Sequence, residues 1–195
     1  MKGVNKITVA VLVVGLGFTE ASSASLFDRG GGMIYDNDQS LTWLQDANYT
    51  KTSMDWYQAN NWSENLIFGT YSNWRLPTID EFRILYQVEL GNKSYSETTN
   101  STSPGWGLYN KGPFTNLQGY AYWTGTNEIY PTLAWAFYSN NGYQSYFTKD
   151  QSFGVWAVHP GDVAAVPVPA AFWLFTSGLG LLSFANRRKA QGNML

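Results

Sequence analysis

A helix start with an extended arm in front of it is written into Tyr71-Ser72-Asn73-Trp74-Arg75-Leu76-Pro77-Thr78-Ile79-Asp80-Glu81, and this stretch limits what the rest of the chain can do. Thr78 and Glu81 have capping-box spacing. The Thr hydroxyl is placed to accept from the Glu81 backbone N–H, and the Glu carboxylate to accept from the Thr78 N–H. Pro77 holds Leu76 extended, so the chain reaches the helix from a straight arm. Trp74 and Leu76 alternate with Asn73 and Arg75, so the arm buries one side. Ile79, Phe82, Leu85, Tyr86 and Leu90 then recur at helical spacing. They predict a helix from Ile79 to about Leu90, stopped by Gly91-Asn92. Arg75 is placed to tie the arm to the domain through a buried salt bridge. Asp80 and Glu81 suit the cap and the positive end of the helix dipole better than acid–base work.

Other elements arrange themselves around this one. Gly30-Gly31-Gly32 predicts a mobile lead-in. Met33-Ile34-Tyr35 and Leu41-Thr42-Trp43-Leu44 predict a hairpin across the turn Asp36-Asn37-Asp38-Gln39-Ser40. Ser53 to Leu66 predicts the first helix, with Trp56, Ala59, Trp62 and Leu66 near one face and Ser53 or Thr52 as cap. The last third predicts strands: Tyr120 to Thr124, Leu133 to Tyr138, Tyr143 to Phe147 after the hairpin turn Asn140-Asn141-Gly142, and Val155 to His159 before Pro160-Gly161. The class is α+β, two helices set between an opening hairpin and a closing antiparallel sheet.

Composition narrows the function. The 195-residue chain has 17% aromatics, nine Trp among them, only 13% charged residues and no Cys. Disulfides, thiolate metal sites and cysteine nucleophiles are excluded. Between Ser25 and Asp162 there are seven Lys/Arg against thirteen Asp/Glu, a balance of −6. That sign argues against a nucleic-acid surface, which needs a basic stripe. Asp36, Asn37 and Asp38 invite a calcium loop, but Leu41 and Ala47 stand where its Gly and Glu belong. His159 is the only histidine; it lacks the companions of a catalytic triad and the second imidazole of a histidine metal site. No metal, cofactor or catalytic residue is expected, and the domain is not expected to be an enzyme.

The segment from Asn92 to Gly119 has no clear periodicity. It is rich in Ser, Thr, Asn and Gly, with Trp106, Tyr109 and Phe114 embedded. Loops of this length are functional or disordered. Trp106 and Tyr109 are the candidate binding residues: their rings can stack on a sugar face, or they can be plugs that fasten the loop.

Both ends carry targeting features. Residues 1–24 predict a secretory signal peptide: Lys2 and Lys6, an apolar run from Ile7 to Phe18, then Ser22-Ser23-Ala24, with cleavage between Ala24 and Ser25 by signal peptidase. Residues 163–195 predict a tail. A Pro/Ala linker leads to an apolar segment at 170–185, which would rise ~24 Å as a helix. That is short for a ~30 Å hydrocarbon core unless the linker joins it. Arg187-Arg188-Lys189 follows and should stay cytoplasmic, leaving 25–162 outside the inner membrane.

Two resemblances follow from these residues. Leu41-Thr42-Trp43-Leu44-Gln45-Asp46-Ala47, the Tyr71–Thr78 stretch, Tyr122-Trp123-Thr124, Ala134-Trp135-Ala136-Phe137 and Trp156-Ala157-Val158-His159-Pro160-Gly161 resemble the Lcl C-terminal family. That bacterial domain of unknown function also occurs at the end of collagen-like adhesins. The resemblance implies a fold of the C-type-lectin and formylglycine-generating-enzyme kind: two helices, a small antiparallel sheet and a long loop. The lectin calcium motifs are absent; Thr126-Asn127-Glu128 is only a faint echo. The tail resembles a PEP-CTERM sorting signal, with Pro167-Val168-Pro169 carrying Val in place of the signature Glu. This resemblance implies processing by an exosortase-type protease in bacteria that make exopolysaccharide. Together they imply an exported, surface- or matrix-directed binding domain for polysaccharide, anchored by its C-terminal helix until processed. A structural envelope or biofilm-matrix protein is the alternative, and a polysaccharide-acting enzyme the second alternative.

Overall fold

The computed structural model describes residues 25–163 except 99, 128 and 129, and for residue 127 the backbone alone. The signal-peptide expectation at 1–24 and the linker, membrane helix and basic end expected beyond 163 lie outside the described residues. Among the described residues no helix is long and apolar enough to cross a membrane.

The arm of residues 71–78 sits between two antiparallel sheets. The first has strand order β1 (Leu26–Gly30), β2 (Met33–Asp36), β3 (Leu41–Leu44) and β7 (Val158–Pro160). The second is β4 (Ala121–Asn127), β5 (Leu133–Tyr138) and β6 (Tyr143–Thr148). On one side of the arm, Arg75 and Val158 exchange backbone hydrogen bonds of 2.9 Å each way. On the other, the Gly125 N–H donates to the Pro77 carbonyl at 2.8 Å. The Ile79 N–H donates to Thr126 Oγ1 at 2.9 Å. Each partner satisfies a backbone group that the arm would otherwise bury unpaired.

The predicted hairpin forms, with Ile34 opposite Trp43 and Asp36 opposite Leu41. Three expectations need correction. Gly30-Gly31-Gly32 is no lead-in: all three residues have positive φ, and they turn β1, an unforeseen strand, into β2. The closing strand is three residues at 158–160, not 155–159. It also pairs with β3 of the first sheet rather than with the closing sheet. The strand expected at 120–124 runs on to Asn127.

Helix α1 spans Trp56–Glu64, shorter than the expected 53–66. Its cap is Asp55, not Ser53 or Thr52: Asp55 Oδ1 accepts from the Gln58 N–H at 2.8 Å, and Gln58 Oε1 accepts from the Asp55 N–H at 3.4 Å. A charged acceptor at the cap also meets the helix dipole. Helix α2 spans Ile79–Ile84 and is capped by Thr78 and Glu81 as expected. It does not continue as an α-helix to Leu90. Leu85–Glu89 widens into a π-helical turn, with Leu90 N–H bonded to the Leu85 carbonyl at 2.9 Å. The extra residue per turn still puts Leu85, Tyr86 and Leu90 in the core with Phe82.

Aromatic rings fill the space between the layers. Trp43, Trp74, Trp123 and Trp156 are each at most 1% exposed. Their indole N–H groups are handled individually: Trp156 donates to Leu44 O at 2.7 Å, Trp123 to Met54 O at 2.9 Å and Trp74 to Tyr71 O at 3.1 Å. The buried Trp43 nitrogen lies near enough to the Asp36 carboxyl to favour its charged form, though not in good hydrogen-bond geometry. Burying rings of this size is the main favourable term available to a domain with no Cys.

Candidate functional site

The 92–119 loop is fastened to the body rather than loose. Asn92, 1% exposed, donates through Nδ2 to Asn110 O and accepts from the Asn110 N–H, both at 2.8 Å. The Lys93 N–H donates to Gly105 O at 2.7 Å, and the Tyr95 N–H to Asn141 O at 2.7 Å. The last bond docks the loop on the β5–β6 turn. Gly142 makes that approach possible. It has φ +66°, and a Cβ there would lie 2.5 Å from Ser94 Cβ and 2.9 Å from Tyr86 Cε1.

A groove of about 530 Å³ opens at this junction. Its walls come from four separate segments: Arg83 of α2, Tyr95 and Ser96 of the loop, Trp135 of β5, and Gly142, Tyr143 and Gln144 at the start of β6. Tyr95 and Tyr143 are 49% and 44% exposed and meet edge to face at 6.0 Å. Trp135 is half-buried and meets Tyr146 edge to face at 5.7 Å. Arg83 is the charged member, held by Asp80 Oδ1 at 3.1 Å. The site therefore offers flat apolar rings beside a guanidinium, an amide and a hydroxyl.

The sequence-predicted residues lie elsewhere. Trp106 is half-buried, and its indole N–H donates to Thr98 O at 3.1 Å, which fixes the ring within its own loop. Tyr109 is 80% exposed. Neither lines the groove. The signal that pointed to Tyr143, Tyr146 and Trp135 was an aromatic-rich hairpin around Asn140-Asn141-Gly142, where reading the rings only as strand formers hid them.

A second, smaller groove of about 290 Å³ lies over the arm and includes Trp56, Asn60, Glu64, Arg75 and Thr78. Here Arg75 forms the expected salt bridge, a two-pronged one to Glu81 at 2.7 and 2.8 Å, but it is half-buried rather than buried. Arg75 Nη1 also donates to Leu76 O at 3.0 Å. Burial pushes the Glu81 carboxyl up, but the Arg75 guanidinium and the Thr78 N–H outweigh it, and the group lies below its ordinary range. Such a pair fixes geometry more than it offers chemistry.

His159 meets Trp74 and Tyr71 edge-on at 5.4 and 5.8 Å, with Nδ1 buried and unbonded. Glu89, in the π-helical turn, has its carboxyl pushed up to about 7 by burial and by the nearby Asp36 and Asp38 charges. Burial raises Asp36 as well, against hydrogen bonds from Gln39. Among the described residues no group of three His, Cys, Asp or Glu side chains is arranged to hold a metal.

The Lcl C-terminal domain model matches residues 32–159. The chain belongs to the Lcl C-terminal domain family. The match runs from the turn before β2 to the middle of β7, so the second sheet, both helices and the groove lie inside the Lcl C-terminal domain, while β1 of the first sheet precedes it. No curated protein matches the chain.

Proposed function

We propose that this Lcl C-terminal domain is a non-enzymatic, exported binding domain that holds polysaccharide in the groove between Tyr95, Trp135 and Tyr143. The observation that carries the reading is the groove itself: the exposed rings of Tyr95 and Tyr143 and the half-buried ring of Trp135 converge there beside Arg83, Ser96 and Gln144. Sugar rings present the same mixture, an apolar face with polar edges, and aromatic side chains match it at low entropy cost. The relation to a C-type-lectin-like fold and the sorting tail belong to the same proposal. Signal peptidase cuts between Ala24 and Ser25. The apolar segment at 170–185 holds the domain outside the inner membrane, and an exosortase-type protease acts near Pro167, Val168 and Pro169, ahead of Arg187, Arg188 and Lys189. Trp106 then acts as a loop anchor, and the exposed Tyr109 stands outside the groove lining.

The test is binding of the full chain, in detergent, to exopolysaccharide from its host and to a glycan array, with and without calcium. Saturable, calcium-independent binding that falls roughly tenfold or more in Trp135→Ala supports the groove. Unchanged binding in Trp135→Ala removes the groove from the reading, and absence of binding removes the polysaccharide.

A further inference from the structure

Four strand edges bound the two sheets, and three of them are guarded. β1 carries Asp28 and Arg29 and a bulge between Asp28 and Gly30. β7 is three residues long, ends in Pro160, and has its outer side bonded to Arg75 of the arm. Gly154 lies along β4, donating to Ala121 O at 2.9 Å and accepting from the Trp123 N–H at 3.1 Å. Charges, bulges, short length, Pro and a covering segment are the devices that keep edges from pairing with other chains. β6 has none of them. Among the described residues it pairs with β5 alone, through six consecutive positions without a bulge. Its sequence, Tyr143-Gln144-Ser145-Tyr146-Phe147-Thr148, has no charge, Pro or Gly.

Register and charge select the partner. The Lys149 N–H donates to Thr132 O at 2.9 Å. Antiparallel ladders alternate, so the odd positions of β6 bond inward to β5, and Gln144, Tyr146 and Thr148 turn N–H and C=O outward. The Thr148 carbonyl accepts from the Gln151 N–H at 3.0 Å, which leaves the groups of Gln144 and Tyr146 for a neighbour. An antiparallel strand laid here must repeat that alternation, and β6 itself does. With a twofold axis at Tyr146, that residue faces its own mate, Gln144 faces Thr148 and Ser145 faces Phe147. Ring beside ring and amide beside hydroxyl are cross-strand pairs that stabilise sheets. The same register sets Lys149 opposite Tyr143 and Asp150 opposite Gly142, so no charge meets a like charge. Elsewhere the balance of −6 between Ser25 and Asp162 holds copies apart, and the neutral edge is where two can meet.

We propose that β6 pairs antiparallel with β6 of a second copy of the chain, joining two three-stranded sheets into one of six strands. The contact is isologous, the same patch on both copies. Its axis stands perpendicular to the sheet, so both copies turn Trp135 and Tyr146 to the same side. The two Trp135 positions then lie roughly 14 Å apart at ~4.8 Å per strand. The dimer thus offers two grooves to one ligand chain, a consequence that alone rests on the polysaccharide reading.

The test is sedimentation of the full chain in detergent, together with single introduced thiols, since the chain has no Cys. Wild type should pass from monomer to dimer as its concentration rises. Tyr146→Lys sets like charges across the axis and should raise the dissociation constant roughly tenfold. Tyr146→Phe should leave it unchanged. Under mild oxidation Tyr146→Cys should give a covalent dimer, because facing residues stand about 5.5 Å apart. Ser145→Cys, two positions out of register with its own mate, and Tyr109→Cys, outside the strand, should give roughly tenfold less. Circular dichroism checks the fold of each variant. A chain that stays monomeric up to about 1 mM overturns the pairing. So does a dimer that survives Tyr146→Lys unchanged. Equal cross-linking at all three positions reflects two chains sharing a micelle and overturns it as well. Dimerisation without glycan binding leaves the pairing standing and removes only the two-groove consequence. A monomer that binds glycan leaves the Trp135 groove and removes the pairing.

Discussion

Trp156 and Trp135 lie 21 positions apart in the closing third of the chain, and their surroundings differ in every respect that bears on binding. Trp156 is 1% exposed, packs at 4.9 Å on both Trp43 and Phe114, and spends its N–H on Leu44 O. Trp135 is half-buried and has Tyr146 edge-on beside an open groove. A ring whose neighbours are all rings contributes stability. A ring left with one free face is available to a partner. Aromatic abundance therefore says little about binding until each ring is placed.

The largest effect expected is Trp156→Ala, which empties the centre of the cluster and should cost about 3–5 kcal/mol in chemical denaturation. Survival of a fully folded Trp156→Ala domain would break the distinction between interior and face. Glu81→Ala should come next, at about 2 kcal/mol, because it removes the cap acceptor and strands the Arg75 guanidinium. Its carboxyl has a lowered pKa in the fold, so its contribution is present above the unfolded value near 4.5 and lost as pH falls through the lower folded value. Wild type should thus lose stability below pH ~4.5 more steeply than Glu81→Ala. Glu89→Gln should act in the opposite sense. The folded carboxyl titrates at about 7, above its ordinary 4.5, so wild-type stability is full below 4.5 and declines as pH rises through 7. The Gln variant should match wild type at pH ~4 and exceed it at pH ~8, read as a difference in Tm. Tyr146→Ala should change stability least, by no more than ~0.5 kcal/mol, while weakening glycan binding. A large loss of stability there would make the face part of the core after all.

What could be read from sequence follows the range of the physics. The Thr78–Glu81 box and the Arg75 bridge were legible because each is closed within six positions. The β2–β3 hairpin was legible for the same reason. Asp55 and Gln58 have the same box spacing, yet the hydroxyls at 52 and 53 drew the cap away from them. The pairing of β7 with β3 spans more than 110 positions and leaves no local pattern. An apolar run such as Val155–Val158 is compatible with either sheet. The groove was illegible for a stronger reason: its walls come from positions 83, 95–96, 135 and 142–144, brought together by the β5–β6 pairing, by Phe82 packing on Phe137 and by the loop's docking on Asn141 and Gly142. Trp106 and Tyr109 stood out because they interrupt a polar loop. Interruption marks an anchor as readily as a platform, and the Trp106 bond to Thr98 makes that ring an anchor.

Arg29 clasps Asp162 with two bonds of 2.8 and 2.7 Å, and the Asn37 N–H donates to Ser25 O, so the entry and exit of the domain meet on the first sheet. A body that admits and releases its chain at one point behaves as a cassette. It can be spliced into a surface loop of an unrelated carrier, or joined head to tail and reopened elsewhere, without drawing the two sheets apart. The same geometry lets evolution append or exchange whatever lies before β1 and after β7 while the aromatic interior stays as it is.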